Sequence, residues 1–228
     1  MTFTKVRARL GVLVLHLTLV LPLSGCSMSH SLFGNSATSP DNLVLANSEV
    51  GSLNPYLLNR KSVPGRAQQQ FDQALAAMRL KQWSRAESIL KLLNVDYPEL
   101  SGPWLNLGIT YIAMERQGQA EAAFKQAISV NPDNLDAYNQ LAALYRRSGD
   151  FRSAEGLYKQ ALAIWPQHAP SHLNLGILYD IYLGELAEAA EHYEAYQALQ
   201  PEPDRRVAGW LLDLQRQPVM VARAGGGS

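Results

Sequence analysis

The stretch that decides the fold is SGPWLNLGITYIAMERQGQAEAAFKQAISVNPDN, residues 101–134. Trp104, Leu107, Gly108 and Tyr111 are spaced three or four apart, and so are Ala120, Phe124 and Ala127. That period puts each set on one face of a helix. Two antiparallel helices that cross closely need small residues where they touch, and Gly108 and Ala120 supply them. Pro132 stops the second helix because it lacks the amide that a continuing helix needs.

Adding 34 to each position gives Tyr138, Leu141, Ala142, Tyr145, Ala154, Tyr158, Ala161 and Pro166, so the same pattern returns. A further unit shows Leu175, Gly176 and Tyr179 in register, with Ala189, Tyr193 and Pro201 one residue late. One extra residue is expected in the turn near Gly184. Counting backwards gives Ala74, Ala86, Leu90 and Pro98, but Gln70 and Gln73 stand where Trp104 and Leu107 would predict apolar residues. The first unit is degenerate, as terminal repeats often are. Gly149 and Gly184 open the turns inside their units, and Asp133 or Asn134 can cap the helix that follows.

These eight positions resemble the tetratricopeptide-repeat signature. The resemblance covers residues 67–203 and implies an all-α superhelical solenoid of about four helix-turn-helix units, 67–100, 101–134, 135–168 and 169–203. Each hairpin buries its apolar face only by stacking on the next. Residues 204–217, with Val207, Trp210, Leu211 and Leu214 on one stripe, are expected to form a capping helix over the last face, and 218–228 a disordered tail.

The chain has 228 residues, 20 Lys and Arg against 20 Asp and Glu, and 47% hydrophobic residues. That balance lacks the basic excess that nucleic-acid binding requires, so no nucleic-acid partner is expected. The single cysteine excludes an intramolecular disulfide and a cysteine-based zinc site.

Lys5, Arg7 and Arg9 precede an apolar run from Leu10 to Leu23, which reads as a secretory signal over residues 1–25. Fourteen helical residues rise only about 21 Å, short of the roughly 30 Å hydrocarbon thickness of a bilayer. Leu23-Ser24-Gly25-Cys26 resembles the lipobox of bacterial lipoproteins. The resemblance implies that Cys26 becomes the first mature residue and carries diacylglycerol and an N-acyl chain, enough for stable anchoring. Ser27 rather than Asp follows it, which in that family implies the outer membrane, facing the periplasm. Removing three cationic residues leaves a mature net charge of −3. Residues 27–66 read as a flexible tether rich in Ser, Asn, Gly and Pro, interrupted by the apolar islands Leu43-Val44-Leu45 and Tyr56-Leu57-Leu58. Either island is close enough along the chain to fold back into a groove of the array, so deleting residues 27–60 is expected to tighten external peptide binding.

No HExxH, GxSxG, GxxxxGK or GxGxxG motif occurs, so no catalytic residue, metal, cofactor or small-molecule substrate is expected. His168 and His172 lie four apart, but Pro170 stands between them, and ordinary surface or capping roles are expected. Asp180 and Glu185 read as solvated charges beside a turn. The informative surface is the concave face, which in this family is lined by the first helix of each repeat. The expected groove residues are Leu105, Asn106, Ile109 and Ile112, then Asn139 and Arg146, then Leu173, Asn174 and Ile177, with Ala143 partly buried. Apolar walls with amide hydrogen-bonding groups suit an extended peptide or an amphipathic helix. Arg146 and Arg147 are candidates to hold an acidic group. Leu105 and Leu173 occupy slots where carboxylate-gripping co-chaperones of this family place lysine, so that specificity is not expected.

The resemblance therefore implies a binding protein rather than an enzyme: a membrane-anchored adaptor that docks a protein partner in the envelope, pilotin-like or accessory to an energy-transducing, pilus or secretion machine. A docking regulator of peptidoglycan enzymes is the alternative.

Overall fold

The computed structural model describes residues 54–59 and 62–217; the expected signal segment, Cys26, the Leu43–Leu45 island and the tail lie outside them. The described residues form ten α-helices and no strand. A short α1 (Pro55–Leu58) precedes four hairpins: α2 (Gly65–Arg79) with α3 (Trp83–Asp96), α4 (Ser101–Ala113) with α5 (Gln117–Val130), α6 (Leu135–Ser148) with α7 (Phe151–Ile164), and α8 (Ala169–Ile177) with α9 (Leu186–Ala198). The last helix, α10 (Arg205–Gln215), packs on α9. The architecture is the all-α repeat solenoid that the 34-residue spacing implies.

Within each hairpin the small residues sit where the helices cross. A Cβ on Gly108 would overlap the Phe124 ring, and one on Gly176 would lie 2.6 Å from Tyr193 Cδ1. The first unit lacks the aromatic, yet Ala74, Ala86 and Leu90 are fully buried and Phe71 takes up the apolar role beside Gln70. Pro98, Pro132, Pro166 and Pro201 each follow the end of a second helix by two or three residues. Asn134 caps α6 by accepting from the Ala137 amide at 3.3 Å, and Asp204 caps α10 by accepting from the Arg206 amide at 2.9 Å. Val207 and Leu214 of α10 are buried, and Trp210 lies 5.4 Å from Tyr193, ring to ring, so α10 covers the last unit.

Each first helix ends on a left-handed residue: Lys81 (φ 56°), Glu115 (φ 60°), Gly149 (φ 88°) and Gly184 (φ 74°). The next amide then bonds back into the helix, as Gln82 does to Ala77 at 2.8 Å and Asp150 to Tyr145 at 2.9 Å. Lys81 and Glu115 adopt this conformation against the steric preference of a side chain. Lys81 is exposed, so Lys81→Gly is expected to raise stability by about 0.5–1 kcal/mol, read as a higher urea midpoint at unchanged slope.

The expectation of a longer turn near Gly184 is corrected. The closing bond joins the equivalent residues, the Glu185 amide to the Tyr179 carbonyl at 3.0 Å as Asp150 bonds to Tyr145 in the preceding unit, but it spans six residues here instead of five. The extra residue is absorbed inside the helix as a π-helical turn over Leu178–Leu183. A π turn accommodates one residue without breaking the backbone ladder, and here it brings Ile181 and Tyr182 to the surface, 55% and 43% exposed.

Neighbouring units are tied by a recurring polar triad. Lys125 pairs with Glu121 at 2.7 Å and the Tyr145 hydroxyl of the next unit donates to Glu121 at 2.8 Å. Thirty-four residues on, Lys159 pairs with Glu155 at 2.6 Å and Tyr179 donates to Glu155 at 2.8 Å. The ammonium first, and then the tyrosine hydroxyl, hold the Glu121 carboxyl below its ordinary pKa. Glu87 pairs with Lys91 and with Arg116, both at 2.7 Å. A second link runs through the helix starts: the Asn134 side chain donates to Ser101 at 3.0 Å, and His168, its equivalent in the next unit, lies 3.6 Å from Asp136.

Candidate functional site

The first helices α4, α6 and α8 touch one another in sequence, more closely than the second helices do, so they form the inner face of the array. Ile109 and Ile112 of α4, Ala143 and Arg146 of α6, and Leu173, Asn174 and Ile177 of α8 are half-buried on their helices. Leu105, Asn106 and Asn139 are buried between helices and act as the floor. Asn106 donates to its own helix at the Gly102 carbonyl, 2.9 Å away. Asn139 accepts from Asn174 across the α6–α8 contact at 3.2 Å, a side-chain bridge that joins two units. Each asparagine keeps further hydrogen-bonding capacity.

Arg146 sits at the end of α6 with its guanidinium 5.7 Å from the Tyr182 ring, which in turn packs 5.0 Å from Phe151. Neither Arg146 nor Arg147 forms an ion pair among the described residues. The Tyr158 hydroxyl is buried nearby without a hydrogen-bond partner; burial pushes it up to about 12, and the positive charge of Arg146 opposes that shift. Arg146 thus presents a cation beside the Tyr182 ring at one end of the inner face.

The histidines separate rather than converge. His168 is buried, its Nδ1 2.8 Å from Ser171 Oγ. His172 turns away, its Nε2 2.8 Å from the Pro166 carbonyl and its Nδ1 2.9 Å from His192 Nδ1. No group of three His, Cys, Asp or Glu side chains that could hold a metal occurs among the described residues. Asp180 accepts from the Tyr193 hydroxyl at 3.4 Å, and the exposed Glu185 immediately precedes α9. Among the described residues no helix is long and apolar enough to cross a membrane.

Sequence reasoning missed a cleft on the opposite side of the hairpins. It has a volume of about 430 Å³ and lies between α5 and α7 over α6, with Tyr138, Leu141 and Tyr145 beneath and Ile128, Leu157 and Gly156 at the sides. The 34-residue register explains it, because Gly156 removes the side chain that Ala122 supplies one unit earlier. In the next cleft His192 and His172 take the places of Leu157 and Tyr138. The contact of α1 with the array was raised in the sequence only as one of two options.

A stack of hairpins with an apolar, amide-bearing inner face defines a protein-interaction scaffold. Profiles described as tetratricopeptide repeat match residues 102–134 and 133–202, so the second, third and fourth units are repeats of this kind. The degenerate first unit falls outside both matches. Solved structures share the fold at low identity. The chain is 16% identical to PilF of Pseudomonas aeruginosa with a TM-score of 0.60, covering 71% of this chain and 78% of that one. It is 20% identical to a MamA crystal structure with a TM-score of 0.58, covering 69% and 85%. MamA from Desulfovibrio magneticus RS-1 gives 17% identity and a TM-score of 0.57, covering 72% and 91%. Comparison with curated protein sequences gives no significant match.

Proposed function

We propose that the chain is a lipid-anchored adaptor of the bacterial outer membrane, facing the periplasm, which docks a protein partner on the inner face of its repeats during assembly of an envelope machine. The observation that carries the docking part is the row of half-buried Ile109, Ile112, Leu173 and Ile177 flanking the Asn139–Asn174 bridge. Apolar side chains that stop short of full burial gain from a guest, and the amides satisfy its polar groups. Arg146, stacked on Tyr182, adds a cation for an acidic residue of that guest. The anchor rests on Leu23-Ser24-Gly25-Cys26, and the pilotin-like or accessory role on the combination of such an anchor with a scaffold.

Two measurements test this reading. A clickable palmitate analogue should label the chain in cells and fail to label Cys26→Ala. A photo-crosslinker placed at Ile109 or Ile177 of the full chain should trap one envelope protein, and Ile177→Arg should reduce its capture at least tenfold. Secretin or motor-complex subunits support an assembly role; peptidoglycan hydrolases or synthases move the protein to the docking-regulator reading. Crosslinks that form equally well from exposed Arg152 on α7 overturn the inner face as the site.

A further inference from the structure

The described part of the expected tether, residues 54–59 together with 62–66, includes a turn of helix seated on the repeats. Asn54 accepts from the Tyr56 amide at 2.9 Å, and the Leu57, Leu58 and Asn59 amides bond back to Asn54 and Pro55 at 3.0–3.1 Å. One helical turn has too few hydrogen bonds to offset its ordering in water, so α1 persists only by docking. Contacts at both of its ends hold it. The Tyr56 hydroxyl lies 3.9 Å from where a Cβ on Gly102 would stand, and Asn59 Nδ2 donates to Asp133 Oδ2 at 2.7 Å. Gly102 begins α4 on the stripe that continues through Leu105, Asn106 and Ile109, which places α1 at the amino-terminal mouth of the inner face.

That seat is particular to one unit. The residue equivalent to Gly102 is Asp136 in the next unit and Pro170 in the one after; at Gly102 a Cβ would already touch Phe71 Cζ at 3.8 Å and the Tyr56 hydroxyl at 3.9 Å, so a side chain extending further from this position competes with Tyr56 for the space. The docking is also shallow. Leu57 and Leu58 remain 57% and 54% exposed, and the Asn59–Asp133 bond faces solvent. Exposed polar contacts contribute little, and leucines that stay more than half exposed add only part of their hydrophobic driving force. Its covalent link to α2 through residues 60–64 strengthens this docking by raising the local concentration of α1 to roughly the millimolar range.

We propose that α1 is a displaceable resident of this mouth, and that the mouth recognises a short helical turn bearing an aromatic side chain and, about one turn later, an amide or cationic donor for Asp133. A partner segment of that chemistry takes the seat and frees α1. This rests on the inner-face reading above, and it adds the chemistry of one subsite and its intramolecular competitor.

Gly102→Glu is the decisive variant. It fills the seat of Tyr56, while an acidic residue in the first turn of α4 suits the helix dipole, so the repeats stay folded. In hydrogen-exchange mass spectrometry on the full chain, residues 57–59 are expected to exchange at least tenfold faster in Gly102→Glu, with α4 to α7 unchanged. A labelled peptide of residues 52–61 should bind full-length Tyr56→Ala/Asn59→Ala at least tenfold better than the unaltered chain. Adding Gly102→Glu should abolish that binding. Equal exchange of residues 57–59 in both chains, or peptide binding indifferent to Gly102→Glu, overturns the proposal. Neither readout uses the partner, so a failure here leaves the crosslinks from Ile109 and Ile177 standing, and a failure of those crosslinks leaves the α1 seat standing.

Discussion

Gly108→Ala is expected to destabilise the array by about 2–3 kcal/mol, although alanine is the better helix former by about 1 kcal/mol. The added methyl falls within the volume of the Phe124 ring, and Phe124 is fully buried, so the ring has no solvent side into which to retreat. Either α4 and α5 separate or the ring leaves its rotamer, and dense packing makes both costly. The first unit supplies the compensating change: Ala74 there accompanies Leu90 in place of the aromatic, and both are fully buried. Gly108→Ala/Phe124→Leu should therefore recover at least half of the loss, although Phe124→Leu alone removes buried area and costs about 1 kcal/mol. Urea unfolding of the three variants gives the coupling as a double-mutant cycle. A single-variant loss below about 0.5 kcal/mol, or strict additivity, would show that the crossing is not limited by this contact. In the third unit Ala142 and Tyr158 coexist at the same positions, both fully buried, so the spacing of each pair is set locally and the test is specific to α4 and α5.

The fold was legible because its cause is periodic. Gly108, Ala120, Phe124 and Pro132 recur through Ala142, Ala154, Tyr158 and Pro166, and each recurrence has one steric meaning. The same comparison would have found the inter-unit triads had charges been included with apolar residues, because Glu87, Glu121 and Glu155 share the register, as do Lys91, Lys125 and Lys159. Other features were not legible because they depend on distance rather than order. One late residue before Ala189 is equally compatible with a longer turn and with a π turn, and only the π-helical hydrogen bonding over Leu178–Leu183 separates them. Periodicity also places Leu105 and Ile109 on the same stripe without telling floor from wall; in the structure Leu105 is buried and Ile109 half-buried. The cleft beside Gly156 arises from a missing side chain, which carries no hydrophobic signal. His172 drew notice for its spacing from His168, whereas its actual companion is His192, twenty residues away in sequence and one helix across.

That companion gives the strongest expected pH effect. His192 lies in the cleft between α7 and α9, its ring stacked 5.7 Å from that of Tyr179 and its Nδ1 2.9 Å from His172. His172 Nε2 faces the Pro166 carbonyl, which can only accept, so His172 donates there and its Nδ1 accepts from His192. The neutral pair is thus matched. Burial, then His172, then Lys159 on α7 disfavour a charge on His192 and bring it down to about 4 from the usual 6.5. A histidine depressed on folding binds its proton more readily in the unfolded chain. Its contribution to stability is complete above about pH 6.5 and is lost as pH falls towards 4. The full shift corresponds to about 3 kcal/mol, and partial solvent access reduces the expected loss to about 2 kcal/mol. His192→Leu, which installs the residue found at the equivalent Leu157, removes the titrating ring while keeping an apolar filling. Glu121, Glu155 and Asp204 are also held below their ordinary values, and they weaken the fold in acid in both chains alike. The difference between the two stability-versus-pH curves therefore belongs to the histidine pair. Urea unfolding from pH 7 to pH 4 should show the unaltered chain losing about 2 kcal/mol more than His192→Leu, mostly between pH 6.5 and pH 4. Parallel curves would mean that the cleft admits enough water to solvate the charged ring, and that this inter-unit contact does not sense acid.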